Sequence, residues 1–195
     1  MFSEEKRKAI MTTLNNEKEL HDVIHSVMQT VGITAAIKQD HSGINMSYNF
    51  IGDYIGFDAN RLLEARNELM VPIPLEVYVK TITLHELGHA VDREALQASL
   101  PRTIEIFTMK KQHAKKEIYR NEHLLSMIIE EHEMNIQFEE TAWENAWDLN
   151  NTRHLIDKKD FDYIKQHSLA TYHKLYEQDL HAYHNLLSQP VLQLA

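Results

Sequence analysis

Residues 84–92 read Leu84-His85-Glu86-Leu87-Gly88-His89-Ala90-Val91-Asp92. A histidine, the glutamate after it and a second histidine four places on make the pattern H-E-x-x-H. On an α-helix, residues i and i+4 stand one above the other on one face. His85 and His89 can therefore offer both imidazoles to a single Zn²⁺. Glu86, beside the pair, is placed to act as general base on water whose pKa the ion lowers. Leu84, Leu87, Gly88, Ala90 and Val91 are uncharged, as a helix passing under a cleft and into a core requires. The chain holds 13 histidines in 195 residues, so composition alone would give the bare pattern about one time in twelve. Its setting must therefore carry part of the weight. Without an ion, the same residues would be half-buried histidines with Glu86 in solvent.

That setting is helical downstream and briefly extended upstream. Pro72 and Pro74 close one helix and open the next, because proline fits only a helix's first turn. From Leu75 to about Ser99 nothing interrupts before Pro101, which predicts a helix over 75–99. Ile44-Asn45-Met46-Ser47-Tyr48-Asn49-Phe50 alternates apolar and polar residues, the period of a strand. Gly52-Asp53 can form a two-residue turn, with Tyr54–Phe57 returning. A third strand within 33–39 would complete a small sheet inside about 33–58. Asp58 is a suitable N-cap for a helix carrying Leu62, Leu63, Ala65, Leu69 and Met70.

At the N-terminal end, Ile10, Leu14, Leu20, Ile24, Val27 and Met28 recur at helical spacing from Glu4 to Val31, and Gly32 stands where a C-cap belongs. Further helices are expected over 103–121, 122–149, 153–166 and 168–188. The fold class expected is α+β, mostly helical, as one domain over 1–195.

Composition narrows the function. Hydrophobic residues make 43% and charged residues 25% of the chain, values ordinary for a globular domain. Five Gly and four Pro are too few to punctuate a many-stranded sandwich, and the absence of Cys excludes disulfides, Cys-ligated zinc and a thiol nucleophile. Net charge −9 argues against nucleic acid or an anionic membrane as partner. No apolar run approaches the length of a membrane span, and MFSEEKRKAIMTTL lacks a signal-peptide core, so a cytoplasmic location is expected.

Catalytic zinc takes three protein ligands plus water, so one ligand remains to be found. Asp92 shares the stripe of His85 and His89, but its short side chain one turn further on would barely reach. A hydrogen bond behind the ligands, or plain helix surface, suits it better. The better source is Gln137–Trp147, where a glutamate on a second helix can complete the site. Small Ala142 and Ala146 would let the two backbones approach.

HELGH followed some fifty residues later by Glu139-x-x-Ala142-Trp143-x-x-Ala146 resembles the gluzincin arrangement of the zincin metallopeptidases. It is most similar to the small ImmA/IrrE-type enzymes of bacteria and phages, with their H-E-x-x-H and later E-x-x-A-N-x-F-A. The resemblance implies a minimal zincin-like domain, with a small twisted sheet over the active-site helix. It places Glu139 at the third zinc ligand, beside His85 and His89, and puts Trp143 where the family has asparagine. The family's following Leu-Leu-Met-Pro segment is missing, the interval between motifs is long, and no helix-turn-helix segment accompanies them. Glu140 is the rival, since Glu140, Glu144 and Asp148 form a stripe resembling the E-x-x-x-D of larger gluzincins.

The resemblance further implies a peptide or protein substrate paired to an edge strand, with Tyr54–Phe57 the candidate edge. It also implies a downstream His or Tyr at the oxyanion, for which His154, Tyr163, His167, Tyr172 and His173 compete. The activity implied is that of a zinc-dependent endopeptidase with Glu86 as base. A zinc-binding but non-proteolytic regulatory or toxin-like protein is the alternative. A narrow substrate range, or a latent form in which the His-rich N-terminal helix fills the cleft, would restrain such an enzyme.

Other motifs are read as structure. His21/His25 and His181/His184 are helix-surface pairs. Lys110–Lys116 is a solvated face, Trp143 and Trp147 belong to the core, and Glu130–Glu133 mostly faces water.

Overall fold

A computed structural model describes residues 17–188. Helix α1, Glu17–Val31, buries Leu20, Ile24, Val27 and Met28 along one stripe. It ends at Gly32, whose φ of +76° is the left-handed cap conformation that glycine adopts most cheaply. The expected stretch 4–16 of this helix lies outside the described residues.

Three short strands follow: β1 (Ala36–Gln39), β2 (Met46–Asn49) and β3 (Tyr54–Phe57), in the order β1-β3-β2. β1 runs parallel to β3, with Ile37 opposite Ile55, and β2 runs antiparallel, with Tyr48 opposite Ile55. Tyr54–Phe57 is therefore the central strand and not an edge. Residues 36–39 occupy its far side, which is why Ile55, Gly56 and Phe57 are buried. The connection from β2 to β3 is also longer than the expected Gly52-Asp53 turn. Phe50–Asp53 form it, held by the Gly52 N–H donating to Asn49 Oδ1 (2.7 Å) and the Tyr48 hydroxyl donating to Asp53 Oδ1 (2.7 Å).

Asp58 caps helix α2 (Ala59–Glu68) as expected, its Oδ1 accepting from the Asn60 and Arg61 amides at 3.1 Å each. The predicted 75–99 helix is instead two. Helix α3 spans Leu75–Val91, and α4, Arg93–Gln112, starts after a break at Asp92. The break turns Arg93 back to the sheet, where Nε donates to Phe50 O (3.0 Å) and Nη1 pairs with Asp53 Oδ2 (3.0 Å). Pro101 does not end a helix but sits on the exposed side of α4, where water can meet the carbonyl that lacks its i+4 donor.

The short α5 (Lys115–Ile118) precedes α6 (Glu122–Arg153), which closes on His154 in the left-handed region. Helix α7, Lys158–Leu187, is continuous where two helices were expected. No proline or glycine lies within 158–187 to divide it.

The main core surrounds α3, whose Leu84 and Leu87 are fully buried among residues that include Ile24, Ile55, Phe57 and Trp143. A smaller cluster, with Ile106, Leu125 and Ile128, joins α4 to the N-terminal half of α6. The fold is thus mostly helical with one three-stranded sheet. Among the described residues, no helix is long and apolar enough to cross a membrane.

Candidate metal centre

The site begins with a helix crossing. A Cβ on Gly88 would lie 2.0 Å from the backbone oxygen of Ala142, so α3 and α6 touch main chain to main chain. The Asn145 amide donates to Gly88 O across the same crossing (3.1 Å). One turn before Ala142, Glu139 is carried directly over the two histidines. Its Oε2 lies 3.2 Å from His85 Nε2 and its Oε1 3.5 Å from His89 Nε2. One ligand atom from each of the three residues falls within 4.8 Å of the others. Two neutral-capable imidazoles and one carboxylate are a donor set that suits a divalent cation, and the three side chains are close enough to share one.

Packing holds these side chains. The His85 ring stacks on Trp143 (centroids 4.3 Å apart) and meets His89 edge-on (4.7 Å). His85 Nδ1 is buried with no hydrogen-bond partner among the described residues, so the ring is aimed by the indole rather than through that nitrogen. Trp143 is a core residue, as expected, and is also the platform on which His85 rests. Both Trp143 and Trp147 pack edge-on against Phe161.

Glu86 is buried at 7% exposure, and its Oε2 accepts from the Tyr48 amide of β2 (2.7 Å). Burial raises its pKa above the usual carboxylate range. The two histidines oppose that rise and the Glu139 charge adds to it. At Glu139 burial also pushes upward, but the hydrogen bonds and charges of the two imidazoles outweigh it and hold the carboxyl well below its ordinary range. His89 is affected in the opposite sense. Burial favours the neutral ring, yet Glu139, Glu86 and Asp92 together raise its pKa.

A cleft of about 340 Å³ opens over these groups, walled by β2 and its lead-in on one side and by Ser168 and Tyr172 of α7 on the other. Of the five downstream candidates only Tyr172 reaches the centre, its hydroxyl donating to Glu139 Oε1 (3.0 Å). Burial and the Glu139 charge keep that phenol protonated well above its normal pKa. Tyr163 accepts from the Val71 amide (2.9 Å), His173 faces Glu140 at 3.8 Å, His154 is an exposed helix cap, and His167 lies along an adjoining hollow. Glu140, Glu144 and Asp148 are all exposed, so the rival stripe points away from the histidines. Asp92 is half-buried at the helix break and lies outside the ligand group.

The remaining motifs take structural places. His21 and His25 stack on each other at 6.3 Å on exposed positions of α1. The apolar face of α1 is spent in the core and none of its residues lines the cleft, so its described part is not a plug. Lys110 of the basic run pairs with Glu131 (2.8 Å). Residues 130–133 are more covered than the solvated reading has them: Glu130, Glu131 and His132 are partly buried, and His132 is bonded to Asp179 (2.8 Å). The Tyr48 amide donor and Asn145 were missed in the sequence, and no local pattern marks either one.

No family model, curated protein or solved structure matches the chain.

Proposed function

We propose that the protein is a zinc-dependent metallopeptidase with a zincin-like domain that hydrolyses internal peptide bonds of a polypeptide substrate. The observation that carries this is the convergence of His85, His89 and Glu139 beside a buried, unsalted carboxylate at the floor of an open cleft. His85, His89 and Glu139 would hold a zinc ion, which would supply Lewis acidity toward the scissile carbonyl and lower the pKa of water. Glu86 is the proton carrier. Its Oε2 is tied to the Tyr48 amide, which leaves Oε1 to take a proton from the attacking water and hand it to the leaving amine. Its raised pKa suits both transfers.

Strand β2 offers the substrate a backbone. Asn45 O accepts from the Asp58 amide, so in an alternating antiparallel ladder Ser47 and Asn49 bond to β3. Met46 and Tyr48 then turn their main-chain groups outward; their amides are held by Asn45 Oδ1 (2.9 Å) and Glu86 Oε2 (2.7 Å), so an extended peptide would dock on that edge by donating to their carbonyls. Across the cleft the Tyr172 hydroxyl, kept protonated, would turn its single proton from Glu139 Oε1 (3.0 Å) to a developing oxyanion. Tyr172→Phe is expected to lower kcat about a hundredfold with little change in KM or zinc content, measured by steady-state kinetics beside elemental analysis.

The deciding experiment uses protein purified without an affinity tag. Wild type should carry one zinc per chain and cleave peptides, and His89→Ala should do neither. Metal-free, inactive wild type that gains nothing from added zinc would remove the proposal.

A further inference from the structure

The cleft does not stop at the metal centre. A second hollow, also about 340 Å³, adjoins it, and Ile44, Asn45, Ile82, Ser168 and Tyr172 line both. On α3, Glu86 stands in the first hollow, Ile82 is shared and Tyr78 belongs to the second alone. At 1.5 Å per helical residue, Ile82 and Tyr78 lie about 6 and about 12 Å along the helix from Glu86. An extended peptide covers a distance between these in about three residues. A polypeptide held at the metal centre would therefore bring one side chain to the second hollow.

The polar groups of that hollow decide which side chain it takes. Asn45 Oδ1 accepts from the Met46 amide (2.9 Å), which turns Asn45 Nδ2 to donate to the Tyr78 hydroxyl oxygen (3.2 Å). That oxygen is engaged as an acceptor, and its own proton has no acceptor among the described residues. Tyr78 is buried at 4% exposure, and burial keeps the proton on the phenol. Facing it from α7, the half-buried Ser168 makes no side-chain hydrogen bond among the described residues. Its hydroxyl is free both to donate and to accept.

The charges are already matched. Arg61 holds both carboxylate oxygens of Glu68 (2.7 and 3.1 Å), so a charged side chain entering beside them meets a like charge as near as an opposite one. An apolar side chain would seal the Tyr78 and Ser168 hydroxyls from water with nothing to bond. A carboxamide answers both groups. Its oxygen accepts from Tyr78, and its amide hydrogens are donated to Ser168 Oγ and to the outer lone pairs of Glu68.

We infer that this hollow is a specificity subsite for a carboxamide side chain. The substrate is an extended polypeptide with glutamine or asparagine about three residues from the cleaved bond. The inference rests on the peptidase reading and narrows it to a sequence-selective endopeptidase.

The test is digestion of a random peptide mixture by the zinc-loaded full chain, with the products sequenced by mass spectrometry. Wild type should enrich glutamine and asparagine at one fixed position about three residues from the cut. Synthetic peptides that differ only there should be cleaved with glutamine about tenfold better than with glutamate, lysine or methionine, compared by kcat/KM. Tyr78→Phe and Ser168→Ala each remove one hydroxyl, and each should reduce the glutamine-to-methionine ratio about fivefold. Because the ratio is taken within one variant, a general loss of activity or stability cancels. A wild-type preference for methionine or a charged residue there, no preference at all, or a ratio unchanged in both variants overturns the subsite and leaves the hydrolase standing. Zinc-loaded wild type that cuts nothing in the mixture removes both.

Discussion

Glu86→Gln is expected to reduce peptide hydrolysis by about a thousandfold while leaving one zinc per chain. Loss of a positioned general base typically removes two to four orders of magnitude, about 10²–10⁴. Here the loss should reach at least the middle of that range, because Glu139, the other carboxylate at the site, is held ionised between two imidazoles and cannot take over as base. Glutamine keeps the shape of the side chain and still accepts from the Tyr48 amide, so β2 stays docked and the ligands do not move. Parallel measurements of kcat/KM, bound zinc and unfolding midpoint separate the cases. Unchanged turnover would exclude Glu86 as base, and loss of zinc together with turnover would make it a structural support of the ligands.

Gly88→Ala should be the most disruptive single-methyl change in the protein. The added carbon would stand 2.0 Å from the Ala142 carbonyl oxygen. That atom belongs to the backbone of a buried helix, so no rotamer change relieves the contact and no substitution at position 142 rescues it. The helices must part by more than an ångström. Overpacking of this kind costs about 3 kcal/mol or more where main chain has to shift. Because α6 carries Glu139, the same displacement draws its carboxylate away from His85 and His89. Stability in denaturant and zinc affinity should therefore fall together. A variant with wild-type stability and full zinc content would show that the crossing has slack the present geometry does not contain.

Some of this was legible one element at a time. The i, i+4 spacing of His85 and His89, the capping of α2 by Asp58, the stop of α1 at Gly32 and the strand period around Met46–Asn49 are local properties. A residue's own neighbours in the chain decide them. The helix breaks were less legible. Pro101 was expected to end a helix and does not, because its side of α4 faces solvent. Asp92 was expected inside a helix and instead marks a break, because Arg93 turns there to bind the β2–β3 turn.

By itself, then, the amino-acid order determined that one helix would bring two imidazoles and a carboxylate together, in a cysteine-free, mostly helical domain with a small sheet. Only the tertiary structure decided which glutamate completes the group. Glu139 and Glu140 differ by about 100° around α6, and the contact of Gly88 with Ala142 turns the first inward and leaves the second in water. The same holds for the placement of Tyr172, of the five downstream residues, against Glu139, and for β2 rather than β3 at the sheet edge, since each depends on what packs opposite. Spacing within an element fixes which residues share a face, but the face that is buried is chosen by segments distant in the chain.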